Sequence, residues 1–141
     1  LLVIEDDASR LILGYGLFNS ANAENSLQAF TTATRKWGVP KQLLTDNGTH
    51  FCNTHNKRDL SHAFHGGITK AGVHHVFTRI HHPQCNGKNE REFQTLAKDT
   101  KRLGSIDQAV EFYNHKRPHM SLRWEALETP LQAFKRKKRK N

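Results

Sequence analysis

The chain has 141 residues, with 22 Lys and Arg against 13 Asp and Glu, and a formal net charge of +9. This length is typical of one domain that buries a core without disulfides. No stretch approaches the roughly 18 consecutive apolar residues of a membrane span, and no signal-peptide pattern opens the chain, so the sequence argues against a membrane protein. The excess positive charge favours a polyanionic partner.

The charge is unevenly distributed along the chain. Six of the positive residues form the run KRKKRK at 135–140, and the remainder is only mildly basic. We predict that 135–141 is a disordered basic tail suited to phosphate contacts or nuclear import, with a merely solvated tail as the alternative. Cys52 and Cys85 do not form a disulfide framework, which favours reduced thiols. The start at Leu1, directly in apolar sequence, suggests a fragment of a longer protein.

Apolar periodicity predicts alternating strands and helices in the first half of the chain. The predicted elements are a β-hairpin over 1–6 and 11–18, a helix over 22–37 closed by Gly38, and a short buried strand over 42–45. The turn Asp46-Asn47-Gly48 ends that strand. Residues 52–70 are polar and rich in histidine, and we predict a loop there with one helical turn.

The second half is predicted to be mainly helical. A strand is expected over 73–80, and a helix with one apolar face is expected to begin at Asn89. Ser105 and Gln108 match a capping box that opens another helix. Thr129 followed by Pro130 predicts a last short helix. The sequence therefore indicates one α/β domain over 1–134.

Two acidic residues lie where divalent metal chemistry is common. Asp46 ends a strand, and Glu90 is expected in the first turn of a helix, with 43 residues between the two. Carboxylates from a strand end and a facing helix can converge on hard divalent cations, which take oxygen ligands. The alternatives are structural: Asp46 could bond to its own turn, and Glu90 could favour the helix dipole.

Four stretches of the chain resemble the catalytic core of the retroviral-integrase-like transposases, the DDE recombinases of insertion sequences. They are VIEDDASRLILGY (3–15), GVPKQLLTDNGTHF (38–51), HHPQCNGKNEREFQTL (81–96) and FYNHKRPHMSL with TP (112–122 and 129–130). They follow the family's order and cover nearly the whole chain. The YN-x-x-RPH pattern is more similar to insertion-sequence transposases than to retroviral integrases.

The resemblance implies a ribonuclease-H-like fold, a mixed sheet flanked by helices, and metal-dependent cleavage and joining of DNA strands. Asp46 matches the family's second catalytic aspartate and Glu90 its glutamate, so both are expected to bind Mg²⁺ or Mn²⁺ in a two-metal site. The resemblance also implies action as a homo-oligomer on paired DNA ends. We expect the segment around Glu90 to contact DNA through Asn86, Gly87, Lys88 and Arg91.

The first catalytic aspartate of a DDE site is missing from this chain according to the resemblance. Asp6 and Asp7 match the family's second strand, whose aspartate is not a metal ligand. The first aspartate belongs to a preceding strand, central in the family's five-stranded sheet, that would lie upstream of Leu1. We therefore expect an N-terminally truncated core that is inactive and poorly stable by itself, because each buried hydrogen bond left unmade costs about 1–3 kcal/mol.

Other functions compete with this interpretation. The chain could be a non-enzymatic, DNA-binding remnant of a mobile element, or a ribonuclease-H-type nuclease. A zinc site built from the histidines and cysteines is disfavoured, because the usual Cys-x₂₋₄-Cys and His-x₃₋₅-His halves are not present. The expected location is the cytoplasm, associated with the nucleoid, in a prokaryote and the nucleus in a eukaryote.

Overall fold

The computed structural model describes the backbone of residues 1–78 and 83–138, and their side chains except those of 83–89. In chain order the elements are β1 (Leu2–Asp6), β2 (Leu11–Gly16), α1 (Ala23–Trp37), β3 (Gln42–Thr45), α2 (Ala63–Lys70), β4 (His74–Phe77), α3 (Pro83–Leu103), α4 (Ile106–His115), a 3₁₀ helix (Trp124–Ala126) and α5 (Pro130–Lys138). The predicted mixture of strands and helices is confirmed.

The strands of the described residues form two separate sheets of two strands each. β1 pairs with β2, and β3 pairs with β4 in parallel, with Leu44 opposite Val76. The chain divides into two compact units, the first made of Leu1–Ile4 and Leu13–His82 and the second of Glu5–Ile12 and Pro83–Asn141. We describe each unit by itself.

The turn between β1 and β2 is fixed by local hydrogen bonds. Asp6 Oδ2 accepts from the backbone N–H of Ser9 at 2.8 Å and from its hydroxyl. Arg10 takes a positive φ of 62°, and its N–H donates to Asp6 O. Asp and Ser favour such turns because their side chains bond to nearby backbone groups. The predicted hairpin is confirmed, and its aspartate is used for the turn.

α1 begins and ends where its capping residues predict. Asn22 Oδ1 accepts from Asn25 N at 2.8 Å, and Gly38 follows the last turn with a φ of 92°. An asparagine N-cap satisfies an orphan N–H, and glycine takes the left-handed region without strain. The helix contributes Phe30 to the core of the first unit, where it packs with residues from α2 and the segment before β4: Phe64, Ile68 and Val73.

The prediction of a mere helical turn within 52–70 is wrong, because α2 occupies Ala63–Lys70. The AFHGGITK segment gives a poor helix signal, since glycine disfavours helices by about 1 kcal/mol. Both glycines lie at close approaches. A Cβ on Gly66 would collide with the carbonyl oxygen of Leu60, and one on Gly67 would lie 2.8 Å from the side chain of Leu27 on α1. Tertiary packing therefore overrides local propensity here.

The second unit is built mainly from α3, α4 and α5. α3 begins at Pro83, not at the predicted Asn89. Proline is common at a first helical position because its missing N–H would lack a partner there. Ser105 Oγ accepts from Gln108 N at 3.2 Å, which confirms the predicted capping of α4. β4 spans His74–Phe77, and the rest of the predicted 73–80 strand includes 79–80, which lie outside the described residues.

The predicted disorder of 135–141 is wrong for its first four residues, which belong to α5. Two side chains there hold the helix to the second unit. Arg136 forms two hydrogen bonds, 2.6 and 2.8 Å, with the buried carboxylate of Glu128, and Lys137 donates to Ala8 O. Residues 139–141 lie outside the described part of the chain. Across the described ranges, none of the helices has the combination of length and apolar character that crossing a membrane requires.

Candidate active site

Asp46 lies immediately after β3, in a turn whose shape is set by hydrogen bonds. Its carboxylate is exposed, and Oδ1 accepts from Gly48 N at 2.8 Å. Asn47 Nδ2 donates to Thr78 O at 3.0 Å, and Thr78 N donates to Thr45 O at 2.8 Å. The turn is thereby tied to the segment that follows β4. Asp46 therefore has both the structural role we considered for it and an exposed carboxylate beside the sheet.

Below this turn, a chain of hydrogen bonds runs through two histidines. Thr45 Oγ1 donates to Asp46 O at 2.9 Å and lies 2.8 Å from His75 Nε2. His75 Nδ1 in turn lies 2.9 Å from His65 Nδ1. Since the hydroxyl proton is used on Asp46 O, Thr45 accepts from His75 Nε2–H, and the Nδ1 proton between the rings must belong to His65. In this chain His65 donates to His75, His75 donates to Thr45, and Thr45 donates to the backbone carbonyl of Asp46.

Burial sets the charge state of this histidine pair. Burial lowers the pKa of His75 to about 4, and neighbouring histidines, His65 first, add to the effect. Burial also lowers the pKa of His65. Both rings are therefore neutral near pH 7, which leaves one of the two Nδ1 atoms unprotonated to accept the shared hydrogen bond. The sequence showed a region rich in histidine, but only the fold reveals that α2 and β4 bring these two rings together.

Glu90 lies on α3, two turns from its start rather than in its first turn. Its side chain is exposed, as is that of Arg91. The helix-dipole interpretation of Glu90 is therefore wrong, because that interaction is limited to the first turn. Of the predicted DNA-contacting residues, Asn86, Gly87 and Lys88 belong to α3, but their side chains lie outside the described set. Their role stays a prediction.

One turn of α3 near Glu90 carries a buried carboxyl that we did not predict. Burial first, and then the charge of Glu5 and a hydrogen bond with it, raise the pKa of Glu92 to about 8. Arg10 Nη1 bonds to Glu5 Oε1 at 2.9 Å, and Glu92 Oε1 is buried without a hydrogen-bond partner. Two carboxyls in contact share one proton most easily. Glu92 is therefore protonated near pH 7.

The YN-x-x-RPH segment has a structural role in the second unit. Asn114 is buried, and its side-chain amide bonds to both backbone groups of Ile12, each at 2.9 Å. Arg117 Nη1 lies 3.1 Å from Asp99 Oδ2 on α3. His119 N donates to Glu128 O. The segment thus ties α4 to β2, to α3 and to the start of α5.

The structure describes Asp46 within the first unit and Glu90 within the second. Their convergence on shared ions stays a prediction. Among the described side chains, those of residues 1–78 and 90–138, three or more His, Cys, Asp or Glu do not come together as a metal-binding group. Asp6 and Asp7 are used by the β1–β2 turn, where Asp7 forms an ion pair with Arg10 at 2.9 Å. Their assignment as non-ligands stays a prediction.

Comparison with known proteins identifies relatives among integrases and transposases. The chain is 28% identical over 139 residues to a Spiroplasma virus SpV1-C74 protein named as an integrase, ORF3, covering 85% of this chain and 38% of that protein. It is 31% identical over 108 residues to the transposase of transposon Tn552 from Staphylococcus aureus, covering 68% of this chain and 20% of the transposase. The chain therefore spans well under half the length of both relatives.

A third relative, an uncharacterized protein of Archaeoglobus fulgidus, is 23% identical over 92 residues, 65% of this chain and 70% of that protein. The family model described as the integrase core domain matches residues 1–83. That range includes Asp46 and its turn, whereas Glu90 lies beyond it. Because the match covers more than half of the 141 residues, the chain belongs to the integrase core domain family.

Proposed function

We propose that this chain is the catalytic core of a DNA transposase or integrase, which cleaves and joins DNA strands with the help of Mg²⁺ or Mn²⁺. The observation that carries the proposal is the exposed carboxylate of Asp46 at the end of β3, in a chain of the integrase core domain family. Relatives named as an integrase and a transposase support the general process of DNA integration or transposition.

The donor chemistry of the two acids fits a hard divalent cation. Asp46 and Glu90 both present exposed carboxylates, and Mg²⁺ and Mn²⁺ prefer oxygen ligands. Gly48 N–H holds one oxygen of Asp46, which orients its carboxylate. We propose that these two residues hold the ions, which when bound would stabilise the attacking and leaving oxygens of phosphoryl transfer. The chain itself would position the phosphate and need supply no nucleophile.

We further propose that the active form contains one more strand, carrying the first aspartate. The support is the sheet topology: in the described residues β1 and β3 each pair with one neighbour, and they belong to separate sheets. A strand that pairs with both would merge them into one mixed sheet of the ribonuclease-H-like kind. Without it, we expect no strand transfer by the isolated chain.

A titration of Mn²⁺ into a form extended beyond Leu1 tests the metal site. We expect Asp46→Asn and Glu90→Gln each to weaken Mn²⁺ binding at least tenfold, measured by calorimetry. Glu111→Gln, an exposed acid on α4, is the matched control and should change nothing. Binding that is indifferent to both substitutions would refute the two-ligand proposal. Strand transfer by the 141-residue chain would refute the proposal of an additional strand.

A non-enzymatic, DNA-binding remnant is the second candidate, and the +9 charge with the KRKKRK run supports the DNA binding that it requires. It predicts DNA binding without metal-dependent cleavage in both forms of the chain.

For the enzyme, we propose contacts with DNA at Asn86, Gly87, Lys88 and Arg91, and a homo-oligomer on paired ends. Relatives in a bacterium, an archaeon and a virus of Spiroplasma favour a location in the cytoplasm, at the nucleoid.

A further inference from the structure

The 52–62 loop, which follows the Asp46 turn, is held in one shape by its own side chains. It begins at Cys52, which is buried, and ends at His62, whose Nε2 lies 2.9 Å from Thr49 O. Asn53 Oδ1 accepts from His55 N at 3.1 Å, and Asn53 Nδ2 donates to Asp59 Oδ2 at 2.9 Å. A loop fixed in this way loses little conformational entropy when a ligand binds.

The loop directs Lys57 toward the Asp46 turn. Lys57 Nζ donates to Asn47 Oδ1, and it lies 5.4 Å from the centroid of the Phe77 ring on β4. Asn47 cannot turn its amide, because its Nδ2 donates to Thr78 O. The half-buried ammonium is thus anchored at the carboxyl ends of both parallel strands.

Two observations indicate that this cation is available to a further anion. An ammonium group has three N–H donors, and Asn47 accepts from one of them. Among the residues that the structure describes, no acidic side chain forms an ion pair with Lys57.

The charge of Lys57 also acts on the surroundings of Asp46. Burial raises the pKa of the Cys52 thiol; Lys57 opposes this effect and Asp46 adds to it. Both charges are therefore close enough to influence one buried thiol. Lys57 therefore lies near Asp46, which is proposed to bind metal, and a substrate phosphate bound by that metal would lie close to the Lys57 ammonium.

We propose that Lys57 binds a backbone phosphate of the DNA next to the Asp46 turn, and that the 52–62 loop serves to present it. This inference rests on DNA being the substrate of the proposed function. It gives the polar region between the two acids a role in holding DNA. Such a contact carries no sequence information but fixes the register of the strand.

The salt dependence of DNA affinity tests this contact without any need for catalysis. Binding of the full chain to a fluorescent duplex in EDTA is measured by anisotropy from low to moderate NaCl. Each phosphate contact contributes about 0.9 to the slope of log K against log salt. We expect Lys57→Gln to reduce the magnitude of the slope by about that amount and to weaken binding at low salt, whereas Lys57→Arg should keep both values near those of the parent chain.

Lys70→Gln is the matched control, because Lys70 is an exposed lysine at the end of α2 in the same unit. It should leave the slope unchanged. Acetylation of lysines on the unsubstituted chain gives a second measurement, in which duplex DNA should protect Lys57 and not Lys70. An unchanged slope for Lys57→Gln, no protection of Lys57, or no DNA binding by the chain would each overturn the proposal.

These outcomes are separable from failure of the proposed metal site. If Mn²⁺ binding proves indifferent to Asp46 while Lys57→Gln lowers the slope, the phosphate contact stands and the metal site fails. If Lys57 served only to hold Asn47 in place, Lys57→Gln would lower thermal stability, and the slope of log K against log salt would stay equal to that of the parent chain.

Discussion

Asn114 shows how one side chain can replace a neighbouring strand. Its amide presents a donor and an acceptor, and both backbone groups of Ile12 bond to it at 2.9 Å. A β-strand neighbour would offer the same pair of groups. An asparagine inside a helix disfavours that helix slightly, so its place in α4 is explained by this contact.

We predict that Asn114→Ala lowers the free energy of unfolding by about 2–4 kcal/mol, because two buried backbone groups lose their partners. Urea denaturation followed by circular dichroism measures the change. Glu111→Ala, on the same helix and exposed, is the control and should shift stability by less than about 0.5 kcal/mol. Similar stabilities for the two variants would contradict the prediction.

Glu92 makes the stability of the second unit depend on pH. Its pKa rises from 4.5 to about 8 on folding, first through burial and then through Glu5, so the folded state binds more protons between these values. The contribution of Glu92 to stability is fully present below pH 4.5 and is lost as the pH rises toward 8. We expect Glu92→Gln to flatten this decline, measured as hydrogen exchange of α3 and α4. Equal declines in variant and parent would contradict the assignment.

His75 gives the first unit the opposite dependence. Its pKa falls from 6.5 to about 4 on folding, through burial first and then through other histidines, so the unfolded state binds more protons in this window. The contribution of His75 to stability is fully present above pH 6.5 and is lost as the pH falls through 4. Hydrogen exchange in α2 and β4 should speed up on acidification. His75→Gln should weaken that response, whereas His55→Gln, in the exposed part of the loop, should not.

At the scale of elements, close packing decides where α2 can form. Gly66 approaches the backbone of Leu60, and Gly67 approaches the side chain of Leu27. A backbone carbonyl cannot move away as a side chain can. A methyl group added at Gly66 would therefore collide with backbone, whereas one added at Gly67 would contact only a side chain.

We predict that Gly66→Ala destabilises the chain by about 1–3 kcal/mol, although alanine is the better helix former by about 1 kcal/mol. Gly67→Ala should cost less, because Leu27 can change its rotamer. Thermal denaturation of the two variants, compared with the parent, measures the difference. If the Gly66→Ala variant is as stable as the parent, the backbone at Leu60 must shift to make room for the methyl group, and the prediction is wrong.

The sequence was sufficient for elements whose boundaries are set by local capping. Asn22, Gly38, Ser105 and Thr129 act within a few residues of their own positions, so α1, α4 and α5 begin or end as predicted. α2 was missed because its glycines are explained by close packing, of Gly66 against Leu60 and of Gly67 against Leu27, which local propensity does not reveal.

For the candidate site, Asp46 could be placed at a strand end from its turn residues alone. The contacts of Lys57 and the pairing of His65 with His75 could not be predicted, because they depend on how a loop of low periodicity folds back. Glu92 was missed for a similar reason: nothing in its local sequence indicates that a carboxyl from β1 lies beside it.

At the scale of the whole molecule, the basic run serves structure and charge through different residues. Arg136 binds the buried Glu128, whereas Lys135 and Lys138 are exposed. The run therefore contributes both a fixed ion pair and a source of attraction for polyanions.

We predict that replacing Lys135, Lys138, Arg139 and Lys140 by Gln lowers DNA affinity at low salt and makes its salt dependence shallower, without changing thermal stability. Arg136→Ala should instead lower stability, because Glu128 loses a bidentate partner. Anisotropy and thermal denaturation separate the two effects. A loss of stability in the fourfold variant would contradict this division.

The two-stranded sheets also affect how purified material will behave. In the described part of the chain, β1 and β3 each have one hydrogen-bonded neighbour, and β3 presents Leu44 to solvent. An open strand edge can recruit the same edge of another molecule. Dimers that appear on gel filtration as the sample is concentrated would therefore not by themselves represent a recombination complex, and their dissociation by an added strand would identify them as edge-to-edge association.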